Sequence, residues 1–365
     1  MSLSIGDTVD ELPTNPEPSS NQSSDLVPTP SLEPLLAPPA PKRGVRWVFI
    51  GKSGIIRAGW GIALFIVIFI GCAVGIGFLV RAMLHAHPHP GAVMTPRMGI
   101  ISEGLQLFCI IIATGVLALI ERKSLFAYGF QGAARAVRFF SGLVWGFVAI
   151  SVLIFALWKA HLLVFDGLTL HGPATLHYAL LWGLMFLLVG LSEESLLRGY
   201  VQYTMTRGIG FWWGALIFSF LFGFGHHSNV GESPVGLVAA GAIGFVFCLS
   251  IWYTGSLWWA VGFHTAWDWG ESYFYGTSDS GLIVRGHLLG EHPTGKLLWS
   301  GGLTGPEGSL LIIPLILIIA VCMWFWWGSR VQSPFAGQGW RPAWSRKSRA
   351  LDPGNVAAGT APTAG

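Results

Sequence analysis

The feature that most constrains this chain is a series of apolar runs, several longer than 18 residues and almost free of charge. Runs of that length and composition are the signature of transmembrane helices. Apolar residues make up 52% of the sequence and charged residues 11%, less than half the share usual in a soluble domain. A water-soluble globular fold is thereby excluded. The reading is an all-α polytopic membrane protein with about eight transmembrane helices.

The spans are expected at about 58–83, 98–120, 139–158, 173–207, 210–226, 234–253, 256–275 and 309–327. They divide the chain into a disordered cytoplasmic tail (1–45), three accessory helices (58–175), a helical core (176–275), an extracytoplasmic loop (276–308), a last helix (309–328) and a second disordered tail (329–365). The first tail is polar and rich in Pro, Ser, Glu and Asp, without the apolar stretch of a signal peptide. Eight spans put both termini on one side. Lys42, Arg43, Arg46, Lys52 and Arg57, the 121–138 loop, Arg207 and the C-terminal tail concentrate positive charge on that side. By the positive-inside rule both termini are cytoplasmic, in the inner membrane if the source is bacterial. Cys72, Cys109, Cys248 and Cys322 fall in four different runs with no CxxC, which fits small buried apolar residues rather than a disulfide or metal framework. His85, His87 and His89 alternate and could bind a metal, but the interleaved prolines favour a flexible turn.

Against this apolar background three polar islands stand out. The first is Ser192-Glu193-Glu194-Ser195-Leu196-Leu197-Arg198. Ionisable groups inside a membrane-length segment are functional candidates by default. On a helix Glu194 and Arg198 share a face and can pair, while Glu193 points about 100° away and is left free. The second island is His226, with His227 beside it, after Phe222-Gly223-Phe224-Gly225. The third is His264 and Asp268, four residues apart and so on one helical face. Each alone has a plain structural reading as an ion pair or a packed histidine. Three of them in spans otherwise free of charge are harder to dismiss. Glu103, near the start of the second span, is expected to be interfacial.

The residue types suit water activation. Two imidazoles and a carboxylate can hold a divalent metal, most naturally zinc, and leave a position open for water. A nearby glutamate can take the proton of that water while the metal or a donor stabilises the oxyanion. Alternatively, Glu193 and the histidines activate water without a metal. The HExxH and GxSxG signatures are absent.

Glu-Glu-x-x-x-Arg (Glu193, Glu194, Arg198), Phe-x-x-x-His (Phe222, His226) and His-x-x-x-Asp (His264, Asp268), in that order on successive membrane helices, resemble the CPBP family. This family comprises CAAX prenyl endopeptidases and Abi-type intramembrane proteases. The resemblance covers about 178–275. It implies peptide-bond hydrolysis inside a membrane cavity, acting on membrane-associated proteins or peptides at the lipid bilayer, with no nucleic-acid partner. Carried over residue by residue, Glu193 activates the water and Arg198 holds Glu194 as a structural pair. His226 and His264 bind metal or orient the water and oxyanion. The implied metal set is His226, His264, Asp268 and Glu193. Asp268 departs from a position often occupied by Asn; an ionised Asp accepts hydrogen bonds and cannot donate one. Asp268 is then protonated, a metal ligand or an orienter of histidine.

Two other function classes fit the composition. One is a non-catalytic immunity or scaffold protein that keeps the cluster for packing. The other is a transporter, which lacks support from any inverted repeat or pair of broken helices. One difficulty is depth. With the fourth span running inward and the fifth outward, Glu193 lies past mid-membrane and His226 near the outer end. A bend at Gly190, or a short, re-entrant fifth helix, would reconcile them.

Overall fold

The computed structural model describes residues 46–51, 54–84, 95–282 and 285–341. The 1–45 tail, the 342–365 end of the second tail, and His85, His87 and His89 lie outside the described residues. The helices are α1 (Ala58–Leu84), α2 (Pro96–Ile120), α3 (Arg135–Lys159), α4 (Pro173–Arg198), α5 (Tyr200–Ile209), α6 (Phe211–Gly225), α7 (Pro234–Thr254), α8 (Trp258–Asp268) and α9 (Ile312–Met323), with a few single helical turns between them. α8 continues as a π-helical turn, Trp269–Tyr275, and α9 as another, Trp324–Gly328.

This is the expected all-α membrane fold, and the protein is an integral membrane protein. Five helical stretches are long and apolar enough to cross a bilayer: Ala58–Leu79, Pro96–Ile120, Arg135–Lys159, Pro173–Ile209 and Pro234–Thr254. The other three expected spans also form helices, but shorter ones. α6 has 15 residues, α8 has 11 before its π-turn, and the last apolar stretch is Ile312–Gly328. Large apolar side chains point outward, Phe78 71% and Leu119 79% exposed, as a lipid-facing surface requires.

Local chemistry sets the helix ends. Thr95 caps α2, its Oγ1 accepting from the Met98 N–H at 3.3 Å, with Pro96 in the first helical position. Ser233 and Pro234 open α7 in the same way, and Gly255 at φ 63° closes it. The fourth span is interrupted at Gly199, between α4 and α5, and not at Gly190. A Cβ on Gly199 would stand 2.3 Å from the Ser195 carbonyl oxygen. Gly190 instead lets α4 lie against α8, where a Cβ would sit 3.0 Å from both the Val261 carbonyl and Thr265 Oγ1.

The α3–α8 pair packs most intimately through its backbones. A Cβ on Gly142 would come within 2.2 Å of the Trp259 carbonyl oxygen, and one on Gly146 within 2.2 Å of that of Phe263. Gly262 faces back, where a Cβ would meet the Phe139 carbonyl at 2.2 Å. Small residues four apart allow this backbone approach, the usual device where lipid removes the hydrophobic drive between helices. The seam holds α8, which carries His264 and Asp268, against a rigid neighbour.

The expected loops contain one element that helix periodicity does not indicate. β1 (Leu163–Leu168) pairs antiparallel with β2 (Leu289–Pro293), with Val164 opposite His292 and an irregularity between Phe165 and Gly167. The ribbon ties the α3–α4 connection to the segment before α9.

At the end of α2, Glu121 gathers a buried polar node. Its carboxylate accepts from Arg207 at 2.7 Å, Tyr200 at 3.1 Å and Tyr128 at 3.2 Å, with Lys123 at 3.0 Å. Burial alone would raise its pKa; Arg207 and Lys123 outweigh it and hold the group below the usual value.

Gly146→Val forces the α3–α8 seam apart and should destabilise by about 1–3 kcal/mol or more, read as thermal unfolding in detergent. Glu121→Gln should lower the melting temperature at pH 7. Because the folded-state pKa of Glu121 is depressed, its contribution exists above the unfolded value of about 4.3 and disappears as pH falls through the folded value. The deficit of the variant should therefore shrink on acidification over that range.

Candidate active site

The site is assembled around a buried arginine. Arg198 closes α4, and its Nη1 donates to Glu194 Oε1 at 2.8 Å, with both side chains 0% exposed. Its guanidinium lies 4.4 Å from the ring centroid of Phe222 on α6 and 5.6 Å from that of Phe247 on α7. Gly244 on α7 makes the room: a Cβ there would stand 2.4 Å from Arg198 Nη2. The Phe of one sequence motif thus stacks on the Arg of another, a cation–π contact strengthened by desolvation.

Glu194 connects this pair to α8. Its Oε1 also lies 3.3 Å from His264 Nδ1. The opposite nitrogen of the ring, Nε2, stands 3.6 Å from Glu193 Oε2 and 3.6 Å from Asp268 Oδ2. Aromatic rings fix the imidazole plane: Phe222 meets it edge-on at 5.8 Å and Phe247 lies at 5.6 Å.

Adjacent in sequence, the two glutamates differ in surroundings. The Glu194 side chain is fully buried, whereas that of Glu193 is 30% exposed. Glu193 lines a cavity of about 420 Å³ whose wall includes His226, His264, Asp268, Glu103, Asp279 and Glu307. Glu193 Oε2 itself has no hydrogen-bond partner among the described residues.

His226 caps α6 and opens a single 3-10 turn, His226–Ser228. Its Nδ1 lies 2.8 Å from the Phe222 carbonyl, which places the proton on Nδ1 and leaves Nε2 as the acceptor. His227 stacks on Phe224 at 4.7 Å and lies outside the cavity wall. With α6 so short, its C-terminal histidine reaches the same cavity as Glu193. The depth difficulty is met by a short helix and not by a bend at Gly190.

All six residues singled out in the sequence therefore fall in one region. Glu193, His226, His264 and Asp268 share the cavity, while Glu194 and Arg198 stand behind it as support. Glu103, expected to be interfacial from its place near a helix start, turns toward the other polar residues. It forms part of the cavity wall, where Ser192 Oγ donates to its Oε2 at 2.7 Å and Gln106 Nε2 at 3.4 Å. A lone carboxylate in an apolar span is the sequence signal that points there. Asp279 and Glu307 belong to a Gly-rich connection whose sequence carries no such signal. Asp279, in that connection, has its pKa pushed up to about 7, by burial first and then by the Glu307 carboxylate.

The donor chemistry of Glu193, His226, His264 and Asp268 suits zinc, but their spacing does not. No three of them have ligand atoms within 4.8 Å of one another; among the described residues that condition is met by Glu271, Asp279 and Glu307.

An α-helical core with a carboxylate, two histidines and a braced Glu–Arg pair around one cavity is an arrangement able to activate water. Residues 175–270 match the family described as type II CAAX prenyl endopeptidase, Rce1-like, which supports an intramembrane protease of CPBP type. No curated protein matches the chain.

Replacing Arg198 with Met leaves Glu194 buried without its arginine, His264 being its remaining neighbour. Stability should fall by about 3–5 kcal/mol, and Glu194→Gln in the same chain should recover most of it. Thermal unfolding of the single and double variants in detergent measures both.

Proposed function

We propose that this protein is a CAAX-protease-like intramembrane endopeptidase in which Glu193 activates the hydrolytic water. The observation that carries the reading is the contrast between the two glutamates. Glu194 is fully buried and held by Arg198 and His264, while Glu193 is 30% exposed and lines a cavity that also holds two imidazoles. A base must reach the proton it takes, directly or across one water, and Glu193 is the carboxylate placed to do so.

In this mechanism a water sits between Glu193 and His226, whose Nε2 is free to accept. Glu193 takes one proton as the water attacks the scissile carbonyl. His264 holds a proton at Nε2, oriented from behind by Glu194, and offers it to the developing oxyanion. Asp268 steadies that nitrogen. The proton on Glu193 then passes to the leaving amine. Substrates are membrane-associated proteins or peptides, and the bilayer is part of the site. Both termini face the cytoplasm, by the distribution of Lys and Arg, and a bacterial source would place the protein in the inner membrane.

A metal-bound water is the second reading. Its support is the donor chemistry of Glu193, His226, His264 and Asp268, which suits zinc; their spacing would have to close in to hold one. No step above runs through a metal.

Glu193→Gln should lower kcat on a membrane-peptide panel by about 10²–10⁴-fold while leaving thermal unfolding nearly unchanged. Full activity in that variant would sink the mechanism, whereas no cleavage by the wild type would favour a non-catalytic scaffold. Chelator treatment should leave wild-type activity intact; loss that zinc restores would establish the metal reading instead.

A further inference from the structure

A second cluster, which the proposed mechanism does not use, shares the wall of the same cavity through Asp279 and Glu307. Glu271 is on the π-turn after α8, Asp279 on the connection that follows, and Glu307 on a single 3-10 turn before α9. One carboxylate oxygen from each lies within 4.8 Å of the other two. The cluster thus joins three chain segments separated by up to 36 positions in sequence.

A cluster of carboxylates alone would say little. The independent observation is Glu271. It is 0% exposed, yet neither of its carboxylate oxygens has a hydrogen-bond partner among the described residues. Its neighbours are held differently. Trp267 Nε1 donates to Glu307 Oε1 at 2.9 Å, Ser280 Oγ to Glu307 Oε2 at 2.5 Å, and Ser272 Oγ to Asp279 Oδ2 at 3.1 Å. Two carboxylates are oriented by these donors, and the third, unsatisfied at both oxygens, brings one of them within 4.8 Å of the other two groups. None of the ion pairs among the described residues involves any of the three. Burying such acceptors without a donor or a cation is strongly unfavourable.

We propose that Glu271, Asp279 and Glu307 form a binding site for one hard divalent cation, Ca²⁺ or Mg²⁺. The donors are all oxygen, which suits these cations and not zinc or copper. The ligand set is separate from Glu193, His226 and His264. Three carboxylates supply the charge to hold a divalent ion, and waters complete its coordination. The ion fastens the connection between α8 and α9 onto the end of α8 and so fixes one wall of the cavity. Calcium tolerates bidentate carboxylates and irregular geometry; magnesium demands a near-octahedral shell and keeps more of its water.

The test uses the full-length protein in detergent after chelator treatment. Binding is measured by calorimetry, and stability by thermal unfolding, with CaCl₂, MgCl₂ or ZnCl₂ added singly. Wild type should bind one equivalent of Ca²⁺ or Mg²⁺ and unfold at a higher temperature; the arm with the tighter binding identifies the cation. Glu271→Gln and Asp279→Asn, each nearly isosteric, should lose this binding and the temperature shift. Glu193→Gln should keep both. No stoichiometric binding of either cation by the wild type would overturn the proposal, leaving a cluster neutralised by protons. Undiminished binding in Glu271→Gln and Asp279→Asn, or a response to Zn²⁺ alone, would overturn it as well.

Discussion

The guanidinium of Arg198 is the charge on which the core is arranged. It is fully buried, and three helices meet it: α4 through Glu194, α6 through Phe222 and α7 through Phe247, with Gly244 clearing its space. A buried ion pair contributes little net stability, because desolvation offsets its attraction. What it supplies here is position. Glu194 can take its single orientation only while Arg198 holds it, and that orientation fixes His264 on α8. Four helices are thereby registered at one point, and Glu193, the preceding residue on α4, is turned toward the cavity as a consequence.

The same logic explains why much of the site can be read from the sequence. Charges are rare enough in these spans that each one must be accounted for, and Glu193, Glu194, Arg198, His264 and Asp268 are conspicuous for that reason. The pairing of Glu194 with Arg198 follows from helical spacing alone. Spacing cannot show that Phe222 stacks on Arg198, because that contact joins two helices. Nor can it show that Glu103 faces inward, because one residue near a helix start does not reveal which face is lined by lipid. The β1–β2 ribbon escapes for a different reason: its strands are six and five residues long, and its partners lie more than a hundred positions apart.

Glycines are hard to read from sequence in a similar way. Gly190 has the look of a hinge, since glycine in a helix lacks stabilising propensity. Its role is contact: it allows the α4–α8 crossing that brings Glu194 to His264. Gly142 and Gly146 do the same between α3 and α8. The hinge of the fourth span is Gly199, immediately after Arg198, so the helix ends where its most constrained side chain has been delivered.

The length of α6 has a consequence for the surrounding lipid. Fifteen residues at 1.5 Å each extend about 22 Å, less than the roughly 30 Å of a hydrocarbon core. A shortfall of this size is met by local thinning of the bilayer around the short element. Headgroups and their water are then drawn toward the end of α6, where His226 stands. Under the proposed mechanism the hydrolytic water need not pass through a dedicated pore: thinning of the bilayer around a short helix would bring it to the cavity, and bilayer thickness becomes a variable that sets how readily the site is hydrated.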